Sequence, residues 1–383
     1  MKILAIICEL NPFHNGHKYL LERAKKLSGA DSTLCIMSGN FTQRGEMCIF
    51  DKYIRAEHAI LGGADCVIQL PAPFSVAPAE VFAKGAIKIL SQIPEVTTLA
   101  FGCESGTEQG LINSARLLIE ETDKFKIKLN EMLACGESYI KSYATAFETC
   151  GGDRHLVSNP NDILGLEYTK AIIKANANIE ILPIKRIGAG YNDDKLIENY
   201  SSATAIRRNL NGIETKNNLP EFVYESIKYA NDSKELDNFL RYSLFKATTD
   251  DLKRIYGCAE GLENKLKSLE NAPIEEIIEK ATSKRYSSSR IRRILCANAL
   301  GLYCDDCEKF LSGDLYIKPL AVKKQCADTF LSALAKSKYP IVTGIDTEKL
   351  TCSARECFKK DRNEFALYNF LTHSDKKDYM ILV

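Results

Sequence analysis

The stretch Lys2-Ile3-Leu4-Ala5-Ile6-Ile7-Cys8-Glu9-Leu10-Asn11-Pro12-Phe13-His14-Asn15-Gly16-His17-Lys18-Tyr19-Leu20-Leu21 decides how the chain is read. Residues 2–9 are apolar almost without interruption, the pattern of a strand covered on both faces inside a parallel sheet. Asn11 to Gly16 reads as a loop. From His17 onward, Tyr19, Leu20, Leu21, Ala24 and Leu27 fall at helical spacing. Two of the five histidines in the chain therefore sit in one tetrapeptide between a strand and a helix. Imidazoles at a helix N-terminus can donate to phosphate oxygens, where the helix end itself favours anions. The glycine between them lets backbone approach a nucleotide closely. Two incidental histidines at a turn is the bland alternative, and the strand–loop–helix setting argues against it.

The same alternation continues outward. Residues 33–38, 65–70, 96–101 and 178–187 read as further strands, and 51–62, 78–92 and 161–175 as helices. Residues 106–150 read as an insertion of two or three helices. This pattern predicts an α/β fold with a doubly wound parallel sheet, whose ligands lie beyond the carboxyl ends of the strands. Gly188-Ala189-Gly190 opens a loop, and Ser201-Ser202 starts a helix. Beyond about residue 220 helical patterns dominate, with 315–321 and 340–343 as short strand candidates. The expected division is a nucleotide-binding unit over 1–225 and a mainly helical unit over 226–383.

Composition narrows the classes. With 383 residues, 45% hydrophobic and 26% charged, the chain has ample material for a core. No apolar run approaches the roughly 18 residues of a membrane helix. The apolar run at the N-terminus is too brief for a secretion signal, and Glu9 and Asn11 interrupt it. A net charge of +1 neither favours nor excludes RNA, so any nucleic-acid surface must be a local patch. Fourteen scattered cysteines, among them Cys8, Cys35, Cys66 and Cys296 in apolar segments, read as free thiols of a reducing cytoplasm. Cys304 and Cys307 form the one CxxC pair with only Cys326 nearby, so no metal site is assigned.

Further motifs fall at strand ends. Ser38-Gly39-Asn40-Phe41-Thr42-Gln43-Arg44-Gly45 follows the second strand, with Lys52 and Arg55 on the next helix. Arg44, Lys52 or Arg55 are candidates to hold a carboxylate or phosphate; an ordinary polar loop is the alternative. Ser201-Ser202-Ala203-Thr204-Ala205-Ile206-Arg207 places hydroxyls at a helix start and an arginine one turn on. Ser202, Thr204 and Arg207 read as a phosphate cradle, beside the plainer reading of Ser202 as an N-cap. Gly102 closes the fourth strand, either to let adenine or ribose approach the backbone or as a simple terminator. Asn161 begins a helix, which it can simply cap. Arg186 ends a strand and points towards the same expected crevice, with a surface ion pair as the alternative. Lys284-Arg285-Tyr286-Ser287-Ser288-Ser289-Arg290-Ile291-Arg292-Arg293 holds five basic residues and no acid. Arg290, Arg292 and Arg293 suit RNA phosphates and Tyr286 a stacked base; a solvated helix face gives the same pattern.

Taken in order, NPFHNGH, SGNFTQRGE, the Gly102 turn, PNDILG at 160–165, KRIGAGY at 185–191, SSATAIR at 201–207 and YSSSRIRR at 286–293 closely resemble the tRNA(Met) cytidine acetate ligases, over nearly the whole chain. The resemblance implies a HIGH-type nucleotidyltransferase fold with a tRNA-binding second domain. It implies that ATP and acetate form acetyl-adenylate and pyrophosphate. The acetyl group would then pass to N4 of the wobble cytidine of elongator tRNA(Met), giving N4-acetylcytidine. Carried over by motif, the ATP site is Ile7 to Leu20 with Gly102, Asn161 and Arg186, and His14 and His17 are the catalytic pair. Mg²⁺ is expected beside ATP, and no membrane or protein partner is. The family commonly has PNN where this chain has Asn161-Asp162, which leaves position 162 open. A small-molecule nucleotidyltransferase and a non-catalytic RNA-binding module are the competing readings. The large helical second unit argues against the first, and the intact His14 and His17 against the second.

Overall fold

A computed structural model describes residues 1–383 apart from 121, 188–198, 211, 232 and 233. The expected Gly188-Ala189-Gly190 loop lies outside the described residues. The chain begins β1 (Ile3–Cys8), α1 (Asn15–Ser28), β2 (Ser32–Ser38), α2 (Lys52–Leu61) and β3 (Cys66–Leu70). One helical turn, α3 (Ala72–Ser75), and α4 (Ala79–Leu90) lead to β4 (Val96–Cys103). Helices α5 (Glu108–Glu120), α6 (Asp123–Ala134) and α7 (Tyr139–Thr149) fill the insertion, and α8 (Pro160–Lys174) precedes β5 (Glu180–Lys185). Alternate side chains explain why the strand sequences are apolar throughout. Ile3, Ala5, Leu34, Ile36, Cys66 and Ile68 pack on one side with α4 and α8. Leu4, Ile6, Cys35, Met37 and Val67 pack on the other with α1 and α2.

Among the described residues one seven-stranded sheet forms, in the order β5-β4-β1-β2-β3-β6-β7. Strands β1 to β5 pair in parallel. The chain leaves β1 toward β2 and β3, then returns to lay β4 on the other flank of β1. The crevice beyond the carboxyl ends of β1 and β4 is thus the topological switch point where such sheets take ligands.

The C-terminal half divides its loyalties. After α9 (Ala203–Arg208) and α10 (Glu221–Ser226) come α11 (Lys234–Lys246), α12 (Thr249–Lys253), α13 (Leu262–Ser268), α14 (Ile274–Ala281) and α15 (Ser288–Leu300). Helices α11 to α15 gather round a core of their own that includes Leu240, Leu252, Ile277 and Ile294. The chain then runs through α16 (Cys304–Ser312), β6 (Pro319–Val322), α17 (Ala327–Leu334), α18 (Cys352–Leu371) and β7 (Ile381–Leu382). β6 joins the edge of the first sheet, antiparallel to β3, and β7 pairs with β6. Of the expected 340–343 strand, Ile341 makes only an isolated bridge to Ile317. No described helix is long and apolar enough to cross a membrane.

A buried charge cluster fastens this tail. Lys52, at the start of α2, lies 2.6 Å from one carboxylate oxygen of Asp378, and Lys318 pairs with the other. The Tyr53 hydroxyl donates to Asp378 at 2.6 Å. Burial alone would raise the Asp378 carboxyl, but the two ammonium groups outweigh it and hold it far below the usual carboxylate range. Asp378→Ala would leave two ammonium groups buried without the carboxylate they share. It should cost about 3–5 kcal/mol in denaturant unfolding, whereas a loss under about 1 kcal/mol would mean that the cluster does not hold the tail.

Candidate active site

Helix α1 begins with N–H groups that need acceptors, and the two histidines supply them. His14 is the N-cap; its Nδ1 accepts from the Gly16 N–H at 3.0 Å. Its own backbone N–H donates to Nδ1 of His17 at 3.2 Å, completing a capping box. A backbone N–H can only donate, so both Nδ1 atoms are unprotonated and both rings carry their proton on Nε2. Burial first, then neighbouring positive charge, pulls both imidazoles down, His17 to about 3. The rings are therefore neutral, lie with centroids 3.8 Å apart at an interplanar angle of 33°, and present two N–H donors. Gly16 is required for a reason the sequence did not disclose. A Cβ there would sit 2.8 Å from His14 Cε1, in the space the imidazole occupies.

The cleft lined by His14 and His17 also takes in Cys8 and Glu9 from the end of β1 and Gly102 from the end of β4. Ile7, Leu10, Asn11, Gly16, Tyr19, Leu20, Asn161 and Arg186 line it too. Of the expected ATP stretch, Pro12, Phe13, Asn15 and Lys18 do not. Phe13 is buried beneath the loop, and Asn15 donates to the Asn217 carbonyl at 2.8 Å. On the far wall Glu104 ties two expected residues together. It accepts from the Asn161 amide at 2.6 Å and lies 3.8 Å from Arg186 Nε. Glu104 escaped the sequence reading; its place directly after the Gly102-Cys103 strand end was the available signal. Asp162 is fully buried and accepts from the Cys103 thiol, the Glu104 N–H, the Ser105 hydroxyl and the Asn159 amide. Burial raises its carboxyl, yet these donors outweigh it and hold it below its ordinary value. Asp162 anchors the turn that carries Glu104.

The loop between β2 and α2 forms the third wall through Thr42, Gln43, Arg44 and Glu46. Arg207 crosses to it, donating to Glu46 at 2.6 Å and to the Asn11 carbonyl at 2.7 Å. Ser202 and Thr204 line the cleft, and Ser202 also caps α9, accepting from the Ala205 N–H at 3.1 Å. Lys52 and Arg55 are not brought to the cleft. Lys52 belongs to the Asp378 cluster. Arg55 is fully buried and donates to the carbonyls of Glu9, Ser38, Gly39 and Phe50. Its charge fixes the ends of β1 and β2 in place and leaves no face for a ligand.

The basic cluster splits likewise. Arg290 donates twice to the Gly257 carbonyl, at 2.9 and 2.6 Å, and lies over the Tyr286 ring. Arg293 is largely buried and reaches the Gln43 carbonyl at 3.5 Å; burial, then the Arg290 charge, pull it down to about 10. Arg292 is exposed. Gly45, at φ +74°, backs onto the same helix: a Cβ there would fall 2.5 Å from the Arg292 carbonyl oxygen. The cluster and the cleft are thus neighbours through the loop, not separate regions. Cys307 donates to the Pro73 carbonyl at 3.1 Å, and no group of three or more metal-ligating side chains occurs among the described residues.

A parallel sheet with paired imidazoles at the first helix N-terminus, opening on the switch point, defines a nucleotidyl transferase of the HIGH type. The family described as HIGH Nucleotidyl Transferase matches residues 1–380. The chain belongs, within it, to the tRNA(Met) cytidine acetate ligase family. It is 37% identical to the tRNA(Met) cytidine acetate ligase of Caldicellulosiruptor saccharolyticus, covering 91% of this chain and 88% of that one. The corresponding protein of Clostridium botulinum is 34% identical, with 96% and 95% covered. Among solved structures, apo Thermotoga maritima TmcAL superposes with a TM-score of 0.92 at 30% identity, over 100% of both chains. The form of that protein bound with alpha-thio ATP gives 0.89 at the same identity and coverage.

The capping geometry makes a spectroscopic prediction. In ¹⁵N NMR both His14 and His17 should show a neutral ring protonated at Nε2, unchanged from pH 8 to pH 5. Gly16→Ala should displace the His14 ring, abolish its single tautomer and cost about 1 kcal/mol through the lost cap. A variant with an undisturbed His14 signal would show that Gly16 makes no room for the ring.

Proposed function

We propose that the chain is an ATP-dependent, AMP-forming ligase that activates acetate as acetyl-adenylate and transfers acetyl to N4 of the wobble cytidine of elongator tRNA(Met), acting in the cytoplasm. The observation that carries the chemistry is the pair of neutral imidazoles, each with Nδ1 held by a backbone N–H and Nε2–H left for a ligand. Acetate is a poor electrophile, and AMP is a good leaving group. In-line attack by the carboxylate at the α-phosphorus of ATP expels pyrophosphate. The charge that develops there is met by His14, His17 and the N-terminus of α1. Gly102, Asn161 and Arg186 complete the proposed ATP site, with Arg44, Ser202 and Thr204 as phosphate or acetate contacts and Arg207 holding the loop. Mg²⁺ would accompany the ATP polyphosphate as its counter-ion and would supply further charge neutralisation there. The helical unit within 226–383 is the proposed tRNA side, with Arg292 as its exposed phosphate contact.

The test is nucleoside analysis of tRNA after incubation with protein, ATP and acetate. N4-acetylcytidine should form only when both are present; strong product with acetyl-CoA and no ATP would overturn the reading. His14→Ala and His17→Ala should each lower acetate-dependent ATP–pyrophosphate exchange by about 10²–10³-fold, the cost of one preorganised donor. Arg292→Ala should weaken tRNA binding and reduce the slope of log affinity against log salt by about 0.7–0.9, one phosphate contact. An unchanged slope would remove Arg292 from the RNA surface. Arg290 and Arg293 are unsuited to that test, because their replacement disturbs Gly257 and the Gln43 loop.

A further inference from the structure

The second half of the proposed reaction needs a group that nothing so far supplies. When the cytidine N4 lone pair attacks the acetyl carbonyl, a C–N bond forms and the acyl C–O bond breaks. The electron pair leaves on AMP, and the amine must lose a proton. The histidines cannot take it. Each Nδ1 is occupied by a backbone N–H, and each Nε2 already carries hydrogen. Arg44, Lys185, Arg186 and Arg207 line the cleft as cations without an acceptor lone pair. The Cys8 thiol is pushed up by its hydrogen bond with Cys35 and by burial, so it stays protonated.

Among the described residues two carboxylates line the cleft, Glu9 and Glu46. Glu46 is paired with Arg207 at 2.6 Å. Behind the wall Glu104 is held by Asn161 and lies beside Arg186, and Asp162 accepts from donors on both oxygens. Glu9 differs. One oxygen, Oε1, accepts from the Gln43 N–H at 2.6 Å and faces the Ser38 hydroxyl at 3.5 Å. Those two contacts fix the side chain between the ends of β1 and β2, and no described hydrogen bond takes up Oε2. The Gln43 contact also ties Glu9 to the loop whose Gly45 borders α15 beside Arg292. We propose that Glu9 is the general base of the acetyl-transfer step, taking the N4 proton on Oε2; this rests on the function proposed above.

The surroundings suit the task. Burial raises the Glu9 carboxyl above its ordinary value, and the Glu46 charge adds to this. The Gln43 N–H, Arg44 and Arg207 pull the other way. Cys8 and Cys48 lie nearby, and Arg55 donates to the Glu9 carbonyl. A carboxylate raised above its ordinary value is a stronger base than an exposed one.

The experiment separates the two half-reactions. Acetate-dependent ATP–pyrophosphate exchange reports activation; rapid-quench N4-acetylcytidine formation on tRNA, started after the acetyl-adenylate has accumulated, reports transfer. For Glu9→Gln, which keeps the shape and the acceptor for Gln43, transfer should fall about 100-fold or more beyond any change in exchange. The wild-type transfer rate should rise with pH to a plateau as Glu9 ionises, and Glu9→Gln should lose that rise. Glu9→Asp retains a carboxylate and should recover part of the rate and the pH rise. Equal losses in both steps would place Glu9 in ATP binding and overturn the assignment. So would transfer by Glu9→Gln near the wild-type rate, which would mean that the AMP phosphate or solvent takes the proton. Failure of Glu9→Asp to recover either property would also overturn it. Wild-type protein that forms no acetylcytidine would sink the proposed function itself, and the base with it.

Discussion

The first N–H groups of a helix have no partners within the helix, and in α1 that deficit is met by imidazole nitrogen. This one requirement sets most of the site. Because Nδ1 of each histidine accepts from backbone, each ring must carry its proton outward, and neither needs a charge to do so. The His14 ring leaves no space for a side chain at position 16. The loop feeding the helix is held from several directions at once. Leu10 sits at φ +52°, a conformation unfavourable for leucine, and is buried. Asn11 is gripped on both carbonyls, its backbone oxygen by Arg207 and its side-chain oxygen by the Ile49 N–H at 2.9 Å. Such a loop offers donors in one fixed arrangement, which is what electrostatic stabilisation without reorganisation demands.

The loop from β2 to α2 joins this site to the rest of the molecule. Its apolar residues and its polar residues point to different partners. Phe41 and Met47 pair across the loop and sink into the core of the helical unit. Gln43, Arg44 and Glu46 line the cleft. Its start is bound from a third direction, since Glu364 on α18 accepts from the Asn40 N–H. Burial raises the Glu364 carboxyl to about 7, the Lys52 charge opposing it. Helix α18 reaches all three cores: Phe358 packs with the first, Phe365 with the second and Tyr368 with the third. A movement of the helical unit on binding RNA would therefore be felt at Gln43, and so at Glu9.

The parallel sheet was legible because strands covered on both faces must be apolar throughout, and helices between them show their period. The helical insertion and the HxGH turn were legible for the same local reasons. The C-terminal edge of the sheet was not. β7 has two residues, and β6 owes its place to contacts formed across the fold, with Asp378 neutralising Lys52 and Lys318 from far along the chain. Short edge strands carry too few residues to show a period of two.

Arginine marks where sequence reading of the site runs out. Arg44 follows a strand end, Arg55 and Arg207 follow helix starts, and nothing local distinguishes them. The fold does so by solvent. Arg55 lies where water cannot reach, so every donor must find a carbonyl, and it becomes a brace. Arg207 is half-buried and divides itself between Asn11 and Glu46, giving it one foot in the loop and one in the cleft wall. Arg290 and Arg293 are drawn in the same way into carbonyl contacts, while Arg292, one position away on the helix, stays in water. A run of basic residues on a helix is thus parted by the helical period itself. Those facing the protein hold it together, and the one facing outward is left to meet a polyanion.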